Sequence, residues 1–386
     1  MDIGTELVRV TLGIDQLYRA QNTADGVLDR EGLVPVNLTD VAPAPIANWD
    51  GAEMEINALE KQAAAEPDHA RRAYLLEMLD SLRVLVMTFR GIPLPYAERV
   101  ARCLRVPGQP VPSERLEHYR ETIAQCLRKL GYTGADIAAQ VARWENEQRI
   151  PDNQVLPRLK ELLREASART RAKMFVFPEG MLEPVGVRAV PFAAYCDYRG
   201  RVLRLNLDYG YTRPALKHLA CHEGFPGHYV HLAVREEKTR SGEMPLDAAL
   251  VVTSSASSPL FEGIAENGIY FLDWVEGADD LLGMTLNRLR SAARINAAWM
   301  LHVEARPQDE VVTFLMTSCM ESRAWAESRI AFLTHPLRAP FIFAYWYGDM
   351  AVAQVWARVT PERRTAFWSY LYEKMHTPTT LNTFWE

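Results

Sequence analysis

Residues 221–231 read Cys-His-Glu-Gly-Phe-Pro-Gly-His-Tyr-Val-His, which puts two imidazoles and a carboxylate at the end of an apolar, helix-like run. His222 and His228 are candidate ligands for a divalent metal, and Glu223 beside them is a candidate general base. Imidazole nitrogen and carboxylate oxygen are the donors of a catalytic Zn2+ site, which keeps one coordination position open for water.

The spacing sets a condition on the backbone. In the H-E-x-x-H pattern the histidines are four residues apart on a helix, about 40° from each other in projection, and both reach one ion. Here they are six apart, and an undistorted helix would turn His228 roughly 240° away from His222. Pro226 and Gly227 fall inside that spacing. Proline removes a backbone donor and glycine admits unusual dihedrals, so the pair can break the helix and bring His228 back. The alternative is two ordinary, partly buried histidines flanking a helix break.

Bulk properties narrow the classes. A chain of 386 residues, 48% hydrophobic, can bury a large core. A net charge of −6 and a pI near 5.9 leave no electrostatic footprint for nucleic acid or an anionic membrane. The opening MDIGTELVRVTLGID lacks a basic segment before a long apolar run, and nowhere do eighteen apolar residues run together. The expectation is a cytoplasmic protein with no nucleic-acid or membrane partner. Five scattered cysteines, none in C-x-x-C spacing, argue against a disulfide framework or a thiolate metal site. Cys221 reads as a packing residue.

Around this stretch the chain is mostly helical in pattern. Helices are expected from Thr5 to about Ala20, as two segments between Gly51 and Phe89 broken near Pro67, from Ser113 to Gly131, across Ile137 to Trp144, and from Val155 to Ala172. Residues 21–49, with Pro35, Pro43 and Pro45, read as an extended surface segment. The charged residues of this half pair as i to i+4 neighbours and form no catalytic constellation. The division expected is an N-terminal helical region, 1–172, followed by a catalytic region, 173–386, within one continuous unit.

At Met174 the pattern changes. Met174–Phe177, Val187–Cys196 and Val202–Leu207 are rich in β-branched and aromatic residues, with a turn at Asp197–Gly200. They predict a small antiparallel hairpin or three-stranded sheet just before the metal-site helix, which Thr212 and Pro214 start. Such an edge would align an extended substrate, or would only pack on the helices. The fold class expected is mainly α, with this sheet beside the metal-site helix.

After Pro245 the chain is helical again, and the segment from Phe261 to Trp274 carries Glu262 and Glu266 one turn apart among apolar neighbours. A carboxylate on a second helix, some thirty to forty residues after the first histidine, is where a third zinc ligand is expected. Glu262 is the candidate ligand, and Glu266 the candidate partner that orients a histidine.

With these residues in view, the stretch from Met174 to Gly348 resembles the bacterial family named domain of unknown function 885, regarded as zincin-like metallohydrolases. His222–His228 matches its H-E-x-x-P-G-H core, and Phe261-Glu262-Gly263 the start of its E-G-W segment. Arg294 and His302, eight apart, match an arginine and histidine on the following helix, and Tyr345 with Gly348 its Y-x-x-G segment. The departures lie beside the core. Tyr229 and His231 stand where the family has histidine and glutamine, Ile264 replaces its tryptophan, Ile269 an acid and Ala298 an aspartate, and its P-G-Q is missing around Ala339–Phe341. The resemblance implies a zincin-like multi-helix fold with the metal centre kept and the pocket wall changed.

The expected mechanism places Zn2+ on His222, His228 and Glu262, with Glu223 taking a proton from water that attacks an amide or ester carbonyl. Tyr345 or His302 would donate to the oxyanion, Arg294 would hold a substrate carboxylate or orient an acid, and Arg338 is a further candidate for the carboxylate. The leading expectation is a zinc-dependent hydrolase of a peptide or peptide-like amide. The alternatives are a metal-dependent enzyme acting on a small metabolite in a biosynthetic pathway, and a metal-free helical binding protein of the same fold.

Overall fold

The computed structural model describes residues 2–21 and 31–385, so part of the extended segment expected over 21–49 lies outside the described residues. Chain contacts divide the protein into two units, each assembled from several segments. Neither unit ends at residue 172; the change at Met174 is one of secondary structure.

The first unit comprises Met1–Gly108, His231–Ile264 and His335–Glu386. Its helices α1 (Ile3–Gln21), α2 (Trp49–Ala64), α3 (His69–Phe89) and α4 (Tyr96–Leu104) pack in succession. Asn48 and Asp68 cap α2 and α3 by accepting from the backbone N–H of Gly51 and Arg71, each cap contributing about 1 kcal/mol. The break near Pro67 falls between these two helices. Leu75, Leu79, Leu82 and Leu85 of α3 are buried, as are Val8 and Ile14 of α1 and Ile56 of α2, and the three helices are in contact, about 1.5–3 kcal/mol for each large side chain. Helix α4 has no counterpart among the sequence expectations: it is short and starts after Pro95 with no side-chain cap. Residues 36–37 (β1) pair antiparallel with Leu250–Val251.

The second unit comprises Gln109–Val230 and Ala265–Thr334. Here α5 (Ser113–Lys129), α6 (Ile137–Glu147, capped by Asp136) and α7 (Asp152–Lys173) precede a three-stranded sheet. Strands β2 (Glu183–Val187), β3 (Ala194–Asp197) and β4 (Val202–Asn206) lie in the order β2-β4-β3. The β3–β4 pair is the expected antiparallel hairpin, closed at Asp197–Gly200, whereas β2 joins β4 in parallel. Met174–Phe177 forms no strand, and β2 carries Pro184 and Gly186. Proline is tolerated there because β2 is an outer strand, and that composition hid it from a propensity reading. Leu203 and Leu205 of the central β4 are fully buried.

The sheet leads into α8 (Arg213–Leu219), whose N-cap Thr212 accepts from Ala215 N and which has Pro214 in its first turn. Helix α9 (His228–Arg240) follows after a break, then residues 250–251 (β5), α10 (Ser258–Phe271) and the long α11 (Gly277–His302). Helices α12 (Gln308–Cys319) and α13 (Arg323–Thr334) pack with α11 in the second unit. In the first unit, α14 (Ile342–Trp356) and α15 (Arg364–Glu373) follow. The protein is mainly helical with small sheets, and no described helix is long and apolar enough to cross a membrane.

Candidate metal centre

Helix α8 does not run on unchanged through the CHEG segment. Residues Ala220–Gly224 form a π-helical turn, in which Phe225 N–H donates to Ala220 O at 2.9 Å, five residues back. Such turns hold one extra residue and change which side chains share a face. The chain then turns at Phe225-Pro226, Gly227 N–H donates to Cys221 O at 2.9 Å, and a new helix starts at His228. The combination of a widened turn and a helix break overcomes the six-residue spacing. The rings of His222 and His228 lie 4.6 Å apart between centroids and nearly perpendicular, at 81°.

Two glycines make this turn possible. A Cβ on Gly227 would stand 1.9 Å from His222 O and 2.4 Å from Cys221 O, so only glycine lets the backbone double back. Gly268 of α10 faces the turn, where a Cβ would sit 3.0 Å from Pro226 Cδ. Close packing there brings Glu266 of α10 to His218 and His222.

Each of two overlapping groups offers ligand atoms within 4.8 Å of one another: His222, His228 and Glu262, and His218, His222 and Glu266. His222, His228, Glu262 and Glu266 are all buried, at 6–8% exposure. Glu266 Oε2 lies 2.9 Å from His218 Nε2 and accepts from Asn287 Nδ2 of α11 at 3.0 Å, while Oε1 lies 3.6 Å from His222 Nδ1. The carboxylate is thereby fixed by α8 and α11 and directed at one nitrogen of His222. Burial pushes the Glu266 carboxyl up, but His218 by charge and hydrogen bond, with the charges of His222 and Arg288, holds it at about 2. Burial drives His222 well below the usual imidazole range, and the neighbouring His228 and His218 add to this against Glu266. A neutral imidazole with its lone pair available is the form a metal binds.

Helix α8 is anchored by its own Lys217. Lys217, fully buried, has its ammonium 2.5 Å from Asp280 Oδ2 and 3.0 Å from Glu276 Oε2, and it lies over the Trp274 ring. Glu223 follows His222 in the π turn and is buried; burial raises the thiol of Cys196 on β3, and the charge of Glu223 adds to it. Cys221 is buried and its thiol is raised by desolvation, which suits packing rather than ligation.

The remaining predicted site residues belong to neither group. Arg294 and His302 are half-buried on α11, and His302 Nε2 is 2.7 Å from Leu333 O. Tyr345 is half-buried on α14 with its ring edge-on to Phe341. Arg338 is buried and forms an ion pair with Glu31 at 2.5 Å. His218 was missing from the sequence reading. Its signal is the H-x-x-x-H spacing of His218 and His222, the ordinary one-turn separation of two histidines, hidden by the more familiar glutamate-containing core.

Neither a protein-family model nor a curated protein matches the chain. Solved structures do. A candidate lipoprotein from Colwellia psychrerythraea aligns with a TM-score of 0.60 at 13% identity, over 89% of this chain and 70% of its own. A candidate lipoprotein of unknown function from Shewanella oneidensis aligns with a TM-score of 0.55 at 15% identity, over 87% of this chain and 71% of its own. At such identities the likeness is one of fold.

Proposed function

We propose that the chain is a metal-dependent hydrolase of peptide-like amide bonds, with His222, His228 and Glu262 as the ligands of Zn2+ and Glu223 as the general base. The observation that carries this reading is the convergence, in a buried setting, of two imidazoles and a carboxylate drawn from separate helices. Two nitrogen donors and one oxygen donor fit a catalytic zinc set that leaves a position for substrate. The resemblance to the domain of unknown function 885 family, in which the same residues fall in its H-E-x-x-P-G-H and E-G segments, agrees with the assignment.

When bound, the ion supplies a Lewis acid that acidifies water and polarises a carbonyl. Glu223 carries the proton from the attacking water to the leaving nitrogen, held in place by the π turn it shares with His222. Glu266 fixes the orientation of His222, and His218 with Asn287 fixes Glu266, the arrangement by which an outer carboxylate raises ligand basicity. Support for an extended substrate comes from β3, an outer strand in contact with the π turn, whose outer edge would align a peptide by main-chain hydrogen bonds.

The test is metal content by mass spectrometry followed by a peptide library. Wild type is expected to retain about one zinc per chain through dialysis and to cleave, and Glu223→Gln to retain the metal while losing about 10²-fold or more in turnover. Full occupancy without cleavage of any peptide would move the reading to a small-metabolite substrate. Failure to take up metal would leave the fold as a binding protein.

A further inference from the structure

His218 and Glu266 do more than orient His222: with it they complete a ligand set of their own. One donor atom from each lies within 4.8 Å of the other two, and all three residues belong to the second unit. His218 and His222 are four apart in sequence, the separation that puts two side chains on one helix face, and their rings stand 5.5 Å apart between centroids at 49°. Glu266 reaches both: Oε2 is 2.9 Å from His218 Nε2, and Oε1 is 3.6 Å from His222 Nδ1. Asn287 Nδ2 donates to Oε2 at 3.0 Å and steadies the carboxylate in that position.

These separations suit an ion. Bonds of about 2.0–2.2 Å from a tetrahedral Zn2+ to nitrogen and oxygen place neighbouring donors about 3.3–3.5 Å apart. The observed 2.9 and 3.6 Å lie on either side of that value, so small side-chain rotations close the set. The contact of His218 with Glu266 is how such a pair rests without an ion: a cation takes the place of the proton the two share, and that proton leaves to solvent. The side chains are buried but not sealed, at 12%, 9% and 10% exposure for His218, His222 and Glu266, which leaves an ion a way in. Two imidazoles and one carboxylate match Zn2+ or Co2+, whereas Mg2+ and Ca2+ take sets made of oxygen.

We propose that His218, His222 and Glu266 form a second divalent-cation site, for Zn2+ or Co2+, distinct from the group of His222, His228 and Glu262 assigned to hydrolysis. His222 belongs to both. The site does not rest on the hydrolase reading, because its three ligands hold an ion whether or not the other group performs chemistry.

The probe is Co2+ alone, titrated into the metal-free full chain carrying His228→Gln and Glu262→Gln, which disable the other group. This double variant is expected to bind one Co2+ and to show two hyperfine-shifted imidazole N–H signals in its proton NMR spectrum. Adding His218→Ala is expected to remove one of these signals and to weaken binding about 100-fold or more, beyond the usual cost of losing a residue that only orients a ligand. Adding Glu266→Gln is expected to weaken binding by a similar factor. His118→Ala, at an exposed histidine of α5, is expected to change neither the signals nor the affinity. The signal count separates ligation from orientation, since a histidine that only fixes Glu266 is not bonded to the ion. No Co2+ uptake by the folded double variant, a single shifted signal, or binding unchanged by His218→Ala would each overturn the site. If circular dichroism shows the double variant to be unfolded, Glu262→Gln alone carries the same comparison: a shifted signal lost with His218→Ala supports the site, and one retained overturns it. Absence of peptide cleavage by wild type bears on the hydrolase reading and leaves these outcomes as they are.

Discussion

Glu262 and Glu266 are one turn apart on the same helix and differ in what surrounds them. Glu266 is clamped by His218 and Asn287 and faces a nitrogen of His222, whereas Glu262 is grouped with His222 and His228. Removing an outer partner of this kind reduces metal affinity about 10- to 100-fold. Glu266→Gln should therefore weaken zinc binding by that factor in a chelator competition, with the fold retained by circular dichroism. His218→Ala should weaken it in the same direction, because Glu266 then loses one of its two fixing contacts. A second residue-level expectation concerns acid. His376 is buried, its Nε2 lies 2.7 Å from Tyr370 O, and burial lowers its pKa to about 4, below the usual imidazole value near 6.5. The unfolded chain takes up this proton near pH 6.5 and the folded chain only near 4. The stability is thus fully present above pH 6.5 and falls as pH drops towards 4, by on the order of 3 kcal/mol in total. Urea unfolding at pH 7 and pH 5 should show this loss, and His376→Gln should remove most of the difference.

At the scale of elements, the site depends on how α8, the π turn and α9 are joined. Gly227→Ala would place a methyl group well inside contact distance of two carbonyl oxygens. The hairpin must open to accept it, and zinc affinity should fall at least as far as in Glu266→Gln, with lower thermal stability by calorimetry. Lys217 fixes α8 to α11 through Asp280. Lys217→Met alone leaves Asp280 buried without its cation, a change expected to cost about 3–5 kcal/mol. Pairing it with Asp280→Leu should recover most of that loss in denaturant unfolding. If the double variant is as unstable as the single one, the pair contributes by something other than charge compensation. The motif glycines also have a packing role. A Cβ on Gly263 would meet Gly348 O at 2.2 Å, and one on Gly348 would meet Pro259 O at 1.9 Å. Their place in the E-G and Y-x-x-G segments follows from the close crossing of α10 and α14.

For the whole molecule, ligand binding to the folded state alone raises its stability, by about 2.7 kcal/mol at a hundredfold excess over Kd. Zinc added to chelator-treated protein should raise the melting temperature, Glu223→Gln should keep that rise, and His222→Ala should lose it. Each of the two units draws on segments from both halves of the sequence, so the loss of one long helix is felt beyond its neighbours in sequence.

Much of this was legible in the sequence. Helix periodicity, the N-terminal signal at Thr212 and Pro214 and the break near Pro67 are set by interactions within a few residues, whereas the caps at Asn48, Asp68 and Asp136 came from the structure. Local too is the unusual content of Cys221–His231, which alone singled out His222, Glu223 and His228. Strand β2 and helix α4 were not legible: β2 depends on pairing with β4 rather than on its own propensity, and α4 lacks a cap. The ion pair of Arg338 with Glu31 and the clamp around Glu266 join residues far apart in the chain, and no local pattern announces them. The sequence by itself determined which donor types were present and that the helix had to break at Pro226. Only the tertiary structure decided that a π turn precedes the break and that Glu266 of α10 comes up to His218 and His222. Local backbone preferences act over a turn or two, whereas which distant side chains meet is fixed by how whole helices pack.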